Sequence, residues 1–179
     1  FAQDSSLGKK QFSLKRSKKV YNTDFDCHRS YEMADLQSII PGIEIDLRYA
    51  TTNNFLHKKI YPSITTTYLR KNAAVALAAV QKELNQKGFG LKIFDAYRPH
   101  SATKKIWALV KDERYAANPV KGSNHNRGVA VDVTIINLKT KAELNMGTGF
   151  DNFSDTAHHS FNSLPDSVLQ NRLILKQTM

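Results

Sequence analysis

The side chains best suited to chemistry gather in the second half of the chain, and Asp132 is the sharpest of them. It stands in residues 129–136, Val-Ala-Val-Asp-Val-Thr-Ile-Ile, a run apolar on both faces and therefore expected at the centre of a sheet. A carboxylate in such a strand is costly unless donors or a metal ion satisfy it. His125 precedes it by seven residues, and Gly128 between them lets the backbone turn sharply into the strand. A loop histidine and a strand aspartate of this kind can meet at one ion. Imidazole nitrogen and carboxylate oxygen are both ordinary zinc ligands, and a catalytic zinc takes three protein ligands and a water. The plainer alternative is an aspartate bonded to nearby backbone or to Arg127.

Periodicity outlines the elements that must position these residues. Residues 44–49 alternate, with Ile45, Leu47 and Tyr49 on one face, and read as a half-buried strand. Residues 68–87 read as a helix, from Leu69, Ala73, Leu77, Val80 and Leu84, with Gly88 as its stop. A short apolar strand is expected over 91–95. A helix capped by Ser101 is expected over 101–111, with Ala102, Ile106, Leu109 and Val110 inward. Trp107 reads as core and His100 as surface. Residues 112–127 and 146–163 read as loops, and Pro165 fits the first turn of a last helix carrying Val168, Leu169, Leu173 and Leu175. Few strands, two or three helices and no regular βαβ alternation predict an α+β fold.

Composition sets the outer bounds. The chain has 179 residues, 41% hydrophobic and 23% charged, which suits one domain with a real core and excludes wholesale disorder. Its one cysteine, Cys27, excludes an intramolecular disulfide framework and a cysteine-rich zinc cluster. No apolar run is long enough to span a bilayer. The net charge of +10 is uneven: Lys9, Lys10, Lys15, Arg16, Lys18 and Lys19 face only Asp4 in the first twenty residues. Residues 1–35 are therefore read as a basic arm, suited to an anionic envelope polymer, before a domain over 36–179. The arm lacks interleaved aromatics and a reading helix, so nucleic acid is not an expected partner. Phe1-Ala2-Gln3 carries the small residue of a signal-peptidase cut, an expectation of export to the periplasm.

A longer pattern surrounds the His–Asp pair. Ser123-Asn-His125-Asn-Arg-Gly128-Val-Ala130-Val-Asp132 matches an S-x-H-x-x-G-x-A-x-D signature. Four more blocks accompany it: Asp46-Leu-Arg-Tyr-Ala50 followed by Asn54-Phe55; Asp95-Ala-Tyr-Arg98-Pro99; Met146-Gly-Thr-Gly-Phe150-Asp151 through His158-His159; and Asn171-Arg172. On these residues, over about 40–179, the chain resembles the D-alanyl-D-alanine metallopeptidases, and among them the VanX-like D-alanyl-D-alanine dipeptidases. The resemblance implies a central, mainly antiparallel sheet flanked by helices, the hedgehog-like architecture. It also implies zinc-dependent hydrolysis of the D-alanyl-D-alanine dipeptide in peptidoglycan-precursor metabolism.

Site residues carry over by position. His125 and Asp132 match two of three zinc ligands, Arg98 a stabiliser of the tetrahedral intermediate, Ser123 a holder of the substrate carboxylate, and Asp151 a receiver of its ammonium. His158 and His159 match positions that line or brace the site. The family's third ligand and general base belong to a Glu-x-x-His element beyond the last helix. No such element occurs in these 179 residues, whose last glutamate is Glu143. The expectation is a domain incomplete at its C-terminus, binding zinc weakly and hydrolysing little by itself. A fragment of a complete enzyme fits the presence of the other site residues better than an inactive truncated relative. The rival functions are a D,D-carboxypeptidase or endopeptidase on the same fold, and a non-catalytic envelope-binding module.

Overall fold

The computed structural model describes residues 32–179. The cationic residues of the basic arm, Cys27 and His28 lie outside them. Among the described residues the order is β1 (Met33–Asp35), α1 (Leu36–Ile39), β2 (Glu44–Ile45), β3 (Tyr68–Arg70), α2 (Lys71–Gln86), β4 (Phe89–Asp95), α3 (His100–Leu109), β5 (Asp132–Asn137) and α4 (Asp166–Thr178). Single 3₁₀ turns occur at Arg48–Ala50 and Asp155–Ala157. The fold is α+β, as the pattern predicts. Among the described residues no helix is long and apolar enough to cross a membrane.

The longest helix is built on the expected stripe. Ala74, Leu77, Val80, Gln81 and Leu84 are buried on α2 and face β4 and β5. Gly88, at φ 81°, ends the helix where a side chain would be strained, and its N–H donates to the Asn85 carbonyl. The helix starts three residues later than the pattern implies. Tyr68–Arg70 are instead β3, antiparallel to β1, with Leu69 opposite Ala34. Their backbone groups are used across the fold: Arg70 N–H donates to the Gly128 carbonyl, and the Tyr68 carbonyl accepts from Tyr97 N–H. Leu69 is buried in either conformation, so periodicity alone extends the helix through it.

A three-stranded sheet in the order β2-β4-β5 holds the site, with β2 parallel and β5 antiparallel to β4. The central strand is β4, whose Leu91 and Ile93 are fully buried. This corrects the expectation for 129–136: the strand there is β5 and it lies beside β4 at the sheet margin. Its outer edge is covered by the return of residues 142–144, where Leu144 N–H donates to the Ile135 carbonyl and Asn137 N–H to the Ala142 carbonyl. That cover keeps Ile135 and Ile136 dry, so a marginal strand reads as a central one. Asp132 is the first residue of β5 rather than an interior one, and its side chain is 34% exposed.

Smaller departures fall mostly at the ends of elements. The strand expected over 44–49 stops at Ile45, and a 3₁₀ turn carries Tyr49 inward. The helix α3 begins at His100 over Pro99 rather than at a Ser101 cap, and Leu109, its last residue, is exposed. Leu173 on α4 is exposed as well. His100 is exposed, and Trp107 is half-buried against the second apolar cluster of Leu47, Tyr49, Tyr61 and Ile106.

Gly128 joins the small sheet to the site. At φ 67° it donates its N–H to the His125 carbonyl, and a Cβ there would meet Met33 Cε at 2.8 Å. Gly128→Ala is expected to lower unfolding free energy by roughly 1–2 kcal/mol for the left-handed backbone alone. Denaturant titration of the two proteins measures it, and an unchanged midpoint would contradict the assignment.

Candidate active site

Three side chains converge where β4 ends and β5 begins. Asp95 closes β4 and Asp132 opens β5, and the two residues pair across a register shift that follows Ile93. His125 reaches them from the 120–128 loop. Ligand-capable atoms of Asp95, His125 and Asp132 all lie within 4.8 Å of one another, a group that can hold a metal ion. Asn126 buckles the loop in place: its amide nitrogen donates to the Arg98 carbonyl at 2.7 Å and to Thr103 Oγ1 at 2.8 Å, and its Oδ1 accepts from Ser123 N–H at 2.9 Å.

The atoms of this group have different duties. His125 Nδ1 lies 2.8 Å from the Ala96 carbonyl, which can only accept, so Nδ1 carries the proton. Nε2 then presents its lone pair 3.5 Å from Asp132 Oδ1. Two ligand atoms on a tetrahedral zinc-sized cation sit roughly 3.3 Å apart, so this pair fits one ion without rearrangement. Orientation of the imidazole by a backbone carbonyl is the usual support for a metal-ligating histidine. Asp95 is different. Its Oδ1 accepts from Tyr61 Oη at 2.7 Å and Ala96 N–H at 3.0 Å, and its Oδ2 accepts from Arg98 Nε at 2.9 Å and Nη2 at 2.8 Å. With four donors on its oxygens the fully buried Asp95 orients its neighbours instead of ligating.

Electrostatics follow this division. Burial pushes the Asp95 carboxyl up, while Arg98, His125 and the Tyr61 hydroxyl oppose that shift. Burial works against the charge on Arg98 too, but Asp95 overrides it and holds the guanidinium protonated well above its usual range. Burial alone would lower the His125 pKa, and the Asp132 carboxylate reverses this, leaving it above the ordinary histidine value. Tyr61 is driven up by burial and by Asp95, so it serves as a fixed donor.

The remaining expected residues surround this centre. Arg98 is buried, stacks over the Tyr49 ring at 5.0 Å and places Nη2 3.9 Å from Asp132 Oδ2. Asp151 adopts φ 55° and accepts from Tyr49 Oη at 3.0 Å. Burial raises its pKa to about 6, with the Asp132 charge adding to the shift. Ser123 Oγ accepts from His125 N–H at 3.2 Å, beside the histidine it precedes. Asp132 and Asp151 both line a groove of about 560 Å³, together with Phe94, Met146 and Phe150. His158 and His159 are exposed; His159 borders the groove, and the His158 carbonyl accepts from Arg172.

Sequence reasoning missed the parts played by Tyr49, Tyr61 and Asn126; a structural pairing of Arg98 with Asp95 or another acid is the plainer reading of Arg98, and the Asp95 pair forms. Asn126 sits inside a matched block, so its position was visible and its bonding was not. Tyr49 reads as one more apolar residue of an alternating strand, and Tyr61 lies in a loop without periodicity.

An α+β fold with a His–Asp cation site against a buried Asp–Arg pair has the make-up of a metallopeptidase. A family model described as D-Ala-D-Ala dipeptidase matches residues 29–179, and the chain belongs to this peptidase M15 family. It is 37% identical over 148 residues to the D-alanyl-D-alanine dipeptidase of Escherichia coli (strain K12), covering 83% of this chain and 76% of that one. It is 31% identical over 163 residues to the D-alanyl-D-alanine dipeptidase of Enterococcus faecalis, covering 80% and 81%. The enzyme of the same description from Enterococcus faecium is 30% identical over 166 residues, covering 80% and 81%.

Removing one partner of a buried ion pair leaves the other uncompensated. Asp95→Ala is expected to reduce stability by about 3–5 kcal/mol. Chemical denaturation checks this; a loss below ~1 kcal/mol would place the pair at the level of a surface salt bridge.

Proposed function

We propose that the protein is a zinc D,D-dipeptidase acting on free D-alanyl-D-alanine in the turnover of peptidoglycan precursors. The observation that carries the reading is the His125 Nε2–Asp132 Oδ1 pair, 3.5 Å apart, with Asp132 lining one groove with Asp151. Membership of the dipeptidase family supports it. His125 Nε2 and the Asp132 carboxylate would hold the zinc, which when bound polarises the scissile carbonyl and activates water.

The chain's own residues do the rest. Asp151, ionised above pH about 6, receives the substrate ammonium, and the Tyr49 hydroxyl keeps the carboxylate aimed. Ser123 holds the substrate carboxylate. Arg98 keeps its charge and its place through Asp95, which accepts from Nε and Nη2, and the guanidinium, with Nη2 3.9 Å from Asp132 Oδ2, serves the charge developing on the amide oxygen. A cation fixed in a dry site stabilises that oxyanion with little reorganisation. A carboxylate for the amine favours a dipeptidase over a carboxypeptidase, because a substrate extended at that end has no ammonium to offer. The general base that the resemblance assigns to a Glu-x-x-His element is not among these 179 residues, so binding is their most direct read-out.

Calorimetry with zinc, and then with D-alanyl-D-alanine on the zinc-loaded protein, tests both halves. His125→Ala is expected to weaken zinc binding at least tenfold. Asp151→Asn is expected to weaken D-alanyl-D-alanine by about 10- to 100-fold, the range of a charge-assisted contact. N-propionyl-D-alanine, the same molecule without its amine, should bind both proteins alike. A raised carboxyl pKa means that the anion forms only above it, so dipeptide affinity should fall as pH drops through about 6. Equal binding of the two ligands by the unaltered protein would refute the amine grip and favour the carboxypeptidase alternative. D-alanine release by the protein as its host makes it tests the whole reading.

A further inference from the structure

One side chain ties both ends of the loop that carries Asp151. Arg172, on α4, donates from Nε to the Met146 carbonyl at 2.7 Å, from Nη2 to the Thr156 carbonyl at 2.8 Å and from Nη1 to the His158 carbonyl at 3.2 Å. Its neighbour Asn171 donates to the Asn145 carbonyl at 2.9 Å. The loop over 146–158 thus leaves and returns to one guanidinium, with Asp151 between. Compact loops of this kind, closed at the base, commonly carry function.

The loop is shaped around the arginine. Gly147, at φ 83°, packs so closely that a Cβ would meet Arg172 Nη2 at 3.3 Å and Val168 Cγ1 at 3.1 Å. The planar guanidinium offers five donors in a fixed fork, whereas an ammonium could not span three carbonyls of this arrangement. Asp151 itself needs support. A non-glycine residue at φ 55° is strained and persists only where its surroundings determine it. Tyr49 supplies one bond to the carboxylate, and the backbone on either side is fixed from α4.

We propose that Arg172 is a positioning residue for substrate recognition: by closing the base of the 146–158 loop it aims the Asp151 carboxylate at the substrate amine. It acts through Asp151; its side chain also borders the groove, but its three nitrogens donate to loop carbonyls. The inference rests on Asp151 as the amine grip, as proposed above.

The test compares D-alanyl-D-alanine with N-propionyl-D-alanine by calorimetry on the zinc-loaded protein. The quantity read is the ratio of the two affinities within each variant, so a reduced folded fraction affects both ligands and cancels. Arg172→Ala is expected to cut the preference for the amine-bearing ligand about tenfold, and Arg172→Lys to cut it partly. In an Asp151→Asn background Arg172→Ala should change the ratio no further, and zinc affinity should stay within about twofold in all variants. If Asp151→Asn abolishes the preference and neither Arg172 variant alters it, the positioning role is overturned and the amine grip stands. If Asp151→Asn leaves the preference intact, both fall. Should Arg172→Ala fail to fold, Arg172→Lys alone decides by the same ratio.

Discussion

The buried Asp95–Arg98 pair is the constraint from which the site is assembled. A carboxylate with no exposed surface must have its lone pairs matched, and four donors from three places do so: Tyr61 from the loop before β3, Ala96 from the chain just past β4, and Arg98 at the entrance to α3. Ala96 and Arg98 then have a second task. The Ala96 carbonyl orients His125, the Arg98 carbonyl accepts from Asn126, and Arg98 N–H donates to the His125 carbonyl. The demand of one buried charge thereby sets the place of the histidine loop relative to the end of β4. Isolated from water, such a network is stiff, because every partial loss exposes a costly unpaired group.

Around this centre the molecule divides its labour. The larger apolar cluster joins α1, β3 and α2 to Leu91, Ile93 and Ile135 of the sheet, and it supplies most of the dry area. The smaller cluster packs Tyr49, Tyr61 and Ile106 beneath the site and presents two hydroxyls to two carboxylates. Left-handed backbone occurs at Gly128, Gly147 and Asp151, as well as at turns elsewhere in the fold. At the two glycines close packing leaves no room for a side chain. At Asp151 the strain is carried by the bonds around it.

One cation, Arg98, sits among three carboxylates, and each carboxylate has a different environment. Asp95 is saturated with donors and fully buried. Asp132 is a third exposed and faces an imidazole lone pair. Asp151 is half-buried with one phenolic donor and a raised pKa. Identical side chains thus acquire separate electrostatic properties through solvation and donor count.

Much of this was legible from residue types and spacing. The His125–Asp132 pair, Arg98, Ser123 and Asp151 were marked by motif. The buried stripe of α2 and the apolar run of β4 were marked by periodicity, because the side of an element that is dry is written in its own residues. What dries that side is not. The β5 run is apolar whether it is flanked by two strands or by one strand and the return of residues 142–144, and Leu69 is buried as helix or as strand. The pairing of β1 with β3, the Tyr61 hydroxyl on Asp95 and the Arg172 closure of the Asp151 loop join residues with no local relation. So the sequence by itself determined which side chains are available for chemistry and which faces turn inward. Only the tertiary structure decided how deeply each of three carboxylates is buried and how many donors it receives, because long-range packing sets the donors and the water left to each.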